Sequence, residues 1–262
     1  MPIKIIKKEL DEKVDWYNRP AFIPDDPISI PRLFTKKQDQ EIAGLFAAIF
    51  SWGNRTTIIN KSKELMKLMD DSPYAFCTGH TNADLKRLLH FKHRTFNATD
   101  LLYFIEFFKY HYSLHDSLEE AFTLNAAKAS PSGGGLVGAC LNGFNQYFFS
   151  LPDVPARTRK HIASPEKKSS CKRLNMFLRW MVRQDNNGVD LGIWTTISPS
   201  QLVIPIDVHV ARVAKRYGIL ERKQVDWQAA LELTAFLRNL DEKDPVKYDF
   251  ALFGTGVMEN KL

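Results

Sequence analysis

Apolar residues recur at intervals of three and four positions along most of the chain, the spacing that is typical of amphipathic helices. The clearest runs cover residues 42–50, 101–112, 174–181 and 206–217. Asn97 or Thr99 suits the N-cap of the second run, and Gly218 suits the end of the last. No run shows the alternating pattern of a strand, so the sequence predicts an all-α fold.

Two irregular segments interrupt these helices. Residues 129–135 are rich in Ser and Gly, and residues 151–164 form a connector that contains Pro and Arg. The triple glycine could cradle a phosphate, but no Lys-Ser/Thr follows it, so we interpret it as a hinge or loop. We predict an N-terminal extension over residues 1–36 and a helical domain over residues 37–256. Its two lobes, about residues 40–150 and residues 155–256 plus the N-terminal segment, are expected to surround a central cleft.

Composition excludes several classes of protein. The 262 residues are 44% hydrophobic and 25% charged, as in ordinary globular proteins. The three cysteines form no CxxC pair, which argues against a zinc site or iron–sulfur cluster built on cysteine alone and fits a reducing cytoplasm. His111 and His115 have a spacing that can bind zinc, but no third ligand is identifiable, so we interpret them as surface histidines. We expect no metal, cofactor or membrane span, and a cytoplasmic, nucleoid-associated monomer.

Basic residues are concentrated in one segment. The chain carries 36 Lys and Arg against 30 Asp and Glu, a net charge of +6. Between Pro155 and Arg183 there are nine basic residues and one acid, a local net charge of +8. These nine residues, called the basic block below, are Arg157, Arg159, Lys160, Lys167, Lys168, Lys172, Arg173, Arg179 and Arg183. The block predicts a face that binds a polyanion, with a solvated helix–loop surface as the alternative.

Two candidate reactive groups lie at predicted helix N-termini. Lys172 falls in the first turn of a helix, where the electropositive terminus and the neighbouring Arg173 favour the neutral amine that a nucleophilic lysine needs. An ordinary surface lysine is the alternative. Asp207 opens another helix, where it suits an N-cap, and a capping carboxylate can also catalyse. His209 lies two residues later and points elsewhere, so we expect no Asp–His dyad. We expect Lys172 and Asp207 within about 12 Å of each other.

At this point a resemblance to a known family becomes specific. The segment Pro205-x-Asp207-x-His209-x-x-Arg212-Val213-x-x-Arg216-x-Gly218 resembles the aspartate motif of the helix-hairpin-helix DNA glycosylase superfamily, which includes endonuclease III and MutY. Lys172-x-x-Asn175 resembles the helix after the hairpin, where bifunctional members place a Schiff-base lysine. Residues 45–61 and 249–254 are similar to an early helix–turn–helix and to the closing helix of that family. The resemblance covers about residues 40–256 and implies two helical lobes.

The sequence departs from the family pattern in four respects. Glu166-Lys167-Lys168-Ser169 stands where the hairpin normally carries Gly-x-Gly, whose backbone N–H groups hold a DNA phosphate. The interval of 35 residues from Lys172 to Asp207 is longer than in endonuclease III and resembles that of the archaeal 8-oxoguanine glycosylases. The four cysteines of the iron–sulfur cluster are missing. The wedge glutamine is missing too, with Gly53 or Asn54 nearest its place.

The resemblance implies base excision from damaged double-stranded DNA by an N-glycosylase with AP-lyase activity, with Lys172 as the nucleophile and Asp207 as the carboxylate. A non-catalytic DNA- or RNA-binding module on the same fold is the alternative, and a helical protein-interaction scaffold is a more remote one. Trp52 and Trp194 are candidates for the base pocket, although tryptophans are more often buried in a core. The candidate nucleic-acid ligands are Lys167, Lys168, Ser169, Arg173, Arg212, Asn54 and Arg55.

One more segment alternates basic and aromatic side chains. Residues 91–96 read Phe-Lys-His-Arg-Thr-Phe. Such a segment can contact nucleic acid, because bases stack on aromatic rings and phosphates attract cations. An exposed, charged loop between two helices is the equally good alternative.

Overall fold

The fold is all-α, as the sequence predicted. A computed structural model describes residues 2–124, 126 and 133–258, so most of the glycine-rich segment 129–135 lies outside the described residues. The helices of the described residues are α1 (Ile3–Tyr17), α2 (Lys37–Phe50), α3 (Arg55–Leu68), α4 (Pro73–Gly79), α5 (Asn82–Lys86), α6 (Ala98–Tyr112), α7 (Glu119–Thr123), α8 (Gly135–Phe148), α9 (Lys172–Val182), α10 (Val208–Arg216), α11 (Trp227–Leu240) and α12 (Tyr248–Met258). Short 3-10 turns connect several of them.

One small sheet breaks the helical series. β1 (Lys92–His93) and β2 (Phe96–Asn97) pair in antiparallel fashion, with His93 opposite Phe96. The sequence did not predict this hairpin, because strands of two residues are too short to show an alternating pattern.

The ends of three helices can be compared with the boundaries that the sequence predicted. Asn97 accepts hydrogen bonds from the N–H groups of Thr99 and Asp100, which settles the start of α6 in favour of Asn97. Gly218 has a φ of +69° just after the end of α10, a conformation that glycine adopts without steric cost. α9 begins at Lys172, three residues later than the sequence suggested.

The chain divides into two compact units. Unit 1 contains Met1–Ile23, Ser130–Ala139 and Ser164–Leu262, and unit 2 contains Pro24–Ala129 and Cys140–Ala163. The cleft between two lobes remains a prediction.

Unit 2 has a core of aromatic rings. Phe46 stacks on Phe104 and meets Phe96 and Phe108 edge-on, with centroids 5.6 to 6.5 Å apart. These four rings are fully buried. Burial of each ring stabilises the fold by about 1.5–3 kcal/mol, so α2 and α6 are held together by this cluster.

In unit 1, α12 is the central packing element. It contacts α1 on one side and α10 on another. Gly254 permits the close approach of α1, because a Cβ there would lie 2.5 Å from the ring of Tyr17. The N-terminal helix is thus part of the unit that contains both candidate reactive residues. No helix of the described residues is long and apolar enough to cross a membrane.

Candidate functional site

Lys172 and Asp207 are direct neighbours in unit 1. The Nζ of Lys172 lies 3.5 Å from Oδ2 of Asp207, and their side chains are 26% and 19% exposed. The expected proximity of these two side chains is therefore confirmed, while their catalytic roles remain predictions. A partly buried amine beside a carboxylate has both a proton acceptor within reach and access to solvent.

The carboxylate of Asp207 divides its two oxygens between two tasks. Oδ1 accepts hydrogen bonds of 2.9 Å from the N–H groups of His209 and Val210, which makes Asp207 the N-cap of α10. Oδ2 remains directed at Lys172. Capping therefore fixes the orientation of the second oxygen, because the carboxylate plane cannot rotate without losing both backbone contacts.

The segment before α9 adopts a strained backbone where the sequence lacks glycine. Lys168 has a φ of +59° and Cys171 a φ of +50°. A left-handed conformation costs a residue with a Cβ roughly 1–2 kcal/mol. The segment Pro165–Cys171, called the hairpin segment below, therefore makes its turn with non-glycine residues, and tertiary contacts must offset this strain.

Three contacts supply that compensation. The N–H of Trp227 donates to the carbonyl of Lys168 over 3.4 Å, beside an isolated bridge between Ser169 and Asp226. The hydroxyl of Ser170 donates to the carbonyl of Ile206 over 3.4 Å. Because Ile206 immediately precedes Asp207, the last contact ties the backbone around Lys172 to the backbone around Asp207.

A buried carboxyl group, Asp249 on α12, acts electrostatically on the same pair. It is 5% exposed and forms an ion pair with Arg179 on α9. Burial raises the pKa of Asp249 to about 6; Arg179 opposes this rise, the charge of Asp207 adds to it, and Lys172 opposes it. Asp249 is thus the titratable group that sequence reasoning missed. The only available signal was its place in the segment that resembles the closing helix of the glycosylase family.

The structure corrects the basic block at two positions. Arg179 and Arg183 are 4% and 2% exposed. Arg179 contacts Asp190 at 3.2 Å, and Arg183 contacts Asp190 at 3.0 Å and Asp244 at 2.9 Å. These two members of the basic block therefore do not belong to a polyanion-binding face, because both guanidinium groups are buried and engaged by carboxylates.

The block is also divided between the two units. Arg157, Arg159 and Lys160 belong to unit 2, and the residues from Lys167 onward belong to unit 1. The block therefore draws its cations from both units, and the polyanion-binding face remains a prediction.

The predicted ligands of the hairpin segment and α10 have different degrees of exposure. Lys167 and Lys168 are exposed, whereas Ser169 and Arg173 are half-buried. The hydroxyl of Ser169 accepts from the N–H of Cys171 over 3.1 Å. Arg212 is exposed but donates to the carbonyl of Gly256 over 2.9 Å. The two lysines are thus the candidates whose charges face solvent most directly.

The remaining predicted ligands lie in unit 2. Asn54 is exposed and caps α3 by accepting from the N–H of Thr57 over 3.1 Å. Arg55 is the first residue of α3 and is half-buried.

The two candidate tryptophans differ sharply. Trp52 is half-buried and lies 5.2 Å from the ring of His93 and 6.1 Å from that of His161. Trp194 is only 2% exposed and packs edge-on against Phe177 at 5.3 Å. Its burial leaves no accessible ring face for a base, so the structure favours the core role for Trp194.

His111, in α6, and His115, three residues after its end, are not both surface residues. His111 is fully buried, with ring nitrogens 3.0 Å from the Ser117 carbonyl and 3.2 Å from the Tyr147 hydroxyl. Burial lowers the pKa of His111 to about 4. His115 instead contacts Glu120 at 2.6 Å. Within the described part of the chain, no group of three or more His, Cys, Asp or Glu side chains is arranged to hold a metal ion.

Comparison with known proteins places the chain in a family. Searches of curated proteins and of solved structures found no match. A family model described as "Protein of unknown function (DUF2400)" matches residues 26–258. This match covers most of the chain, which therefore belongs to the DUF2400 family.

Proposed function

We propose that this protein excises damaged bases from duplex DNA and cleaves the resulting abasic site through a lysine Schiff base. The observation that carries the proposal is the separation of 3.5 Å between the Lys172 amine and the Asp207 carboxylate. The sequence resemblance to the helix-hairpin-helix glycosylases supports the same assignment. Each group lies at a helix N-terminus in a partly exposed position, as a site that must admit a sugar requires.

In the proposed reaction, Lys172 is the nucleophile, and Asp207 transfers protons and stabilises positive charge. Asp207 accepts a proton from the Lys172 ammonium, and the free amine attacks C1′ of the damaged nucleoside. The bond from C1′ to the base breaks, and the base departs with the electron pair and takes the proton that Asp207 had accepted. The Asp207 carboxylate, ionised again, stabilises the positive charge on the sugar adduct and accepts the second proton of the amine. The C1′–O4′ bond then breaks as O4′ takes this proton, which leaves the protonated Schiff base. Loss of a C2′ proton to the Asp207 carboxylate finally expels the 3′ phosphate with its electron pair.

The hairpin segment is the proposed phosphate contact beside this centre. Lys167 and Lys168 are exposed and lie five and four residues before Lys172, respectively. Their ammonium groups would replace the backbone N–H donors of a glycine hairpin. The contacts that fix the backbone of the hairpin segment would keep both lysines near the sugar bound at Lys172.

Borohydride trapping tests the proposal. Reduction of the Schiff base on a duplex with an abasic site, or with 8-oxoguanine, should give a covalent protein–DNA adduct. Lys172→Gln should abolish the adduct while leaving binding nearly intact, because an amide is not a nucleophile. Lys215→Gln, an exposed lysine on α10, is the matched control and should trap like the wild type. Salt-sensitive binding without any adduct would instead support the non-catalytic binding module.

A further inference from the structure

In unit 2, the side chain of Arg94 lies where two turns are in contact. Gly53, in the turn between α2 and α3, has a φ of +98°, and Arg94, in the β1–β2 turn, has a φ of +52°. A Cβ at Gly53 would overlap the guanidinium of Arg94. Glycine at position 53 thus allows the guanidinium to lie directly against the backbone of the α2–α3 turn.

Contacts on both sides immobilise the β-hairpin that carries Arg94. Nε2 of His93 lies 3.0 Å from the carbonyl of Phe50 at the end of α2. Burial lowers the pKa of His93, with Arg94 and Lys61 adding to the effect, so the neutral ring carries its proton on Nε2 and donates it to Phe50. On the other side, the Arg157 guanidinium donates to the carbonyl of Thr95 over 2.7 Å.

Lys92 and Arg94 give this position an excess of positive charge. Arg94 and Lys92 are exposed, and among the described residues no carboxylate or carbonyl accepts a hydrogen bond from either side chain. We define the Arg94 surface as residues 52–55, residues 92–95 and Arg157. It holds four basic residues and no acidic one. Arg157 also pairs with the buried carboxylate of Asp100 at 3.2 Å, so the argument for excess charge rests on Lys92 and Arg94.

We propose that the Arg94 surface binds the phosphodiester backbone of duplex DNA, with Arg94 as the principal contact. A guanidinium presents parallel N–H donors that match two oxygens of one phosphate. Because the β-hairpin that carries Arg94 is already immobilised, binding costs little additional backbone conformational entropy. A strained left-handed residue with unused donors is a combination that a purely structural turn does not need.

A polyanion is the occupant that fits this chemistry best. Several cations without an intervening acid attract a row of phosphates more strongly than an isolated carboxylate, because each phosphate contact releases condensed counterions. The half-buried ring of Trp52 adds an aromatic edge to the same surface. The inference rests on the proposed function for the choice of DNA, but it concerns unit 2 and none of its residues takes part in the lysine chemistry.

The salt dependence of binding provides the first test. Affinity for an undamaged 20-base-pair duplex is measured by fluorescence anisotropy over a series of salt concentrations. Lys92→Ala with Arg94→Ala should flatten the log–log slope by nearly two units, since each phosphate contact contributes about 0.9. Lys63→Ala with Lys67→Ala removes the same charge from exposed positions on α3 and should leave the slope unchanged. Equal effects of the two pairs would mean that only net charge matters and would overturn the proposal.

A fluorophore provides a second, local test. The native cysteines Cys77, Cys140 and Cys171 are buried, and burial raises the pKa of each thiol, so an introduced cysteine can be labelled selectively. A dye on Thr95→Cys should be quenched by a duplex that carries a quencher. The same dye on Lys63→Cys should be quenched several-fold less. Equal quenching at the two positions would contradict contact at the Arg94 surface.

The two proposals fail in distinguishable ways. Flattened salt dependence without borohydride trapping would support the Arg94 surface and refute the catalytic proposal. Trapping by the Lys92→Ala, Arg94→Ala variant with an unchanged slope would do the reverse. Absence of any duplex binding by the wild-type protein at low salt would overturn the Arg94 surface, whatever the trapping shows.

Discussion

Arg179 and Asp249 form an ion pair inside unit 1. Arg179 lies on the same face of α9 as Lys172. Seven residues separate Lys172 from Arg179, which is two turns of α9. Asp190 holds the other edge of the Arg179 guanidinium at 3.2 Å. Positively and negatively charged side chains thus alternate from the partly exposed Lys172 toward the interior of unit 1. Among these groups, Asp249 is the one whose ionisation changes near neutral pH.

The raised pKa of Asp249 predicts a specific pH dependence of stability. The folded protein binds the Asp249 proton with a pKa of about 6, against an ordinary value of 3.8. This group therefore stabilises the fold fully below pH 3.8, and its contribution is lost as the pH rises through 6. Asp249→Asn removes the titration. Between pH 4 and pH 8, the free energy of unfolding of the wild type should therefore fall relative to that of the variant by on the order of 3 kcal/mol.

Urea unfolding at a series of pH values measures this difference directly. The comparison is made between two curves, so the titration of all other groups cancels to first order. Parallel curves for wild type and Asp249→Asn would show that the carboxyl group titrates at its ordinary pKa, and the electrostatic link to the Lys172 site would be lost.

Arg183 provides a second prediction. Its place in the basic block suggested a surface cation that binds a polyanion, whereas its burial among carboxylates indicates a structural role. Its guanidinium lies among Asp185, Asp190 and Asp244 at 2.7 to 3.0 Å. Arg183→Gln leaves buried carboxylates uncompensated and should reduce the free energy of unfolding by about 3–5 kcal/mol. Lys160→Gln, at an exposed position of the same block, should change it by less than about 0.5 kcal/mol. Thermal or urea unfolding checks both, and similar values for the two variants would contradict the buried network.

The sequence predicted those features that depend on local spacing. Helical periodicity gave the fold class, Asn97 was one of two candidates for the cap of α6, and Gly218 was expected to end α10. The proximity of Lys172 and Asp207 could be predicted because two family motifs carried it. Asp207 as a cap followed from its place at the start of an apolar helix.

Features that depend on tertiary partners could not be predicted. Arg179 and Arg183 look like surface cations, because two of the carboxylates that pair with them, Asp249 and Asp244, lie 70 and 61 positions away in the sequence. The side chains give no indication of the left-handed backbone at Lys168, since lysine rarely adopts it. Nothing local links Gly53 to Arg94, which are 41 positions apart. Their contact appears only when the β-hairpin folds against the α2–α3 turn.

The hairpin segment makes a third prediction, about DNA binding. If four to six basic residues of the protein meet phosphates, the log–log salt slope should be roughly −4 to −5. Lys167→Ala with Lys168→Ala should flatten it by nearly two units if both ammonium groups replace the missing glycine hairpin. Anisotropy titrations with the same duplex measure the slope, and Lys63→Ala with Lys67→Ala again controls for net charge. An unchanged slope would identify the two lysines as solvated surface.

The divided carboxylate of Asp207 allows capping and catalysis to be separated. Asp207→Asn retains an oxygen that can accept from the N–H groups of His209 and Val210, so the stability of the protein should change little. Asp207→Ala loses the cap and should cost about 1 kcal/mol of unfolding free energy. Both variants remove the negative charge beside Lys172, so base excision should fall about a hundredfold or more in each, or roughly 3 kcal/mol of transition-state stabilisation.

Single-turnover excision on a damaged duplex, measured beside urea unfolding, tests the two effects independently. A loss of activity shared by both variants, with a loss of stability in the alanine variant alone, is the expected outcome. If Asp207→Asn excises the base at the wild-type rate, the negative charge of Asp207 is not needed for excision. The side chain of Asp207 would then serve only as the N-cap of α10. Lys172 would have to release its proton to another acceptor, and the proposed pairing of amine and carboxylate would fail.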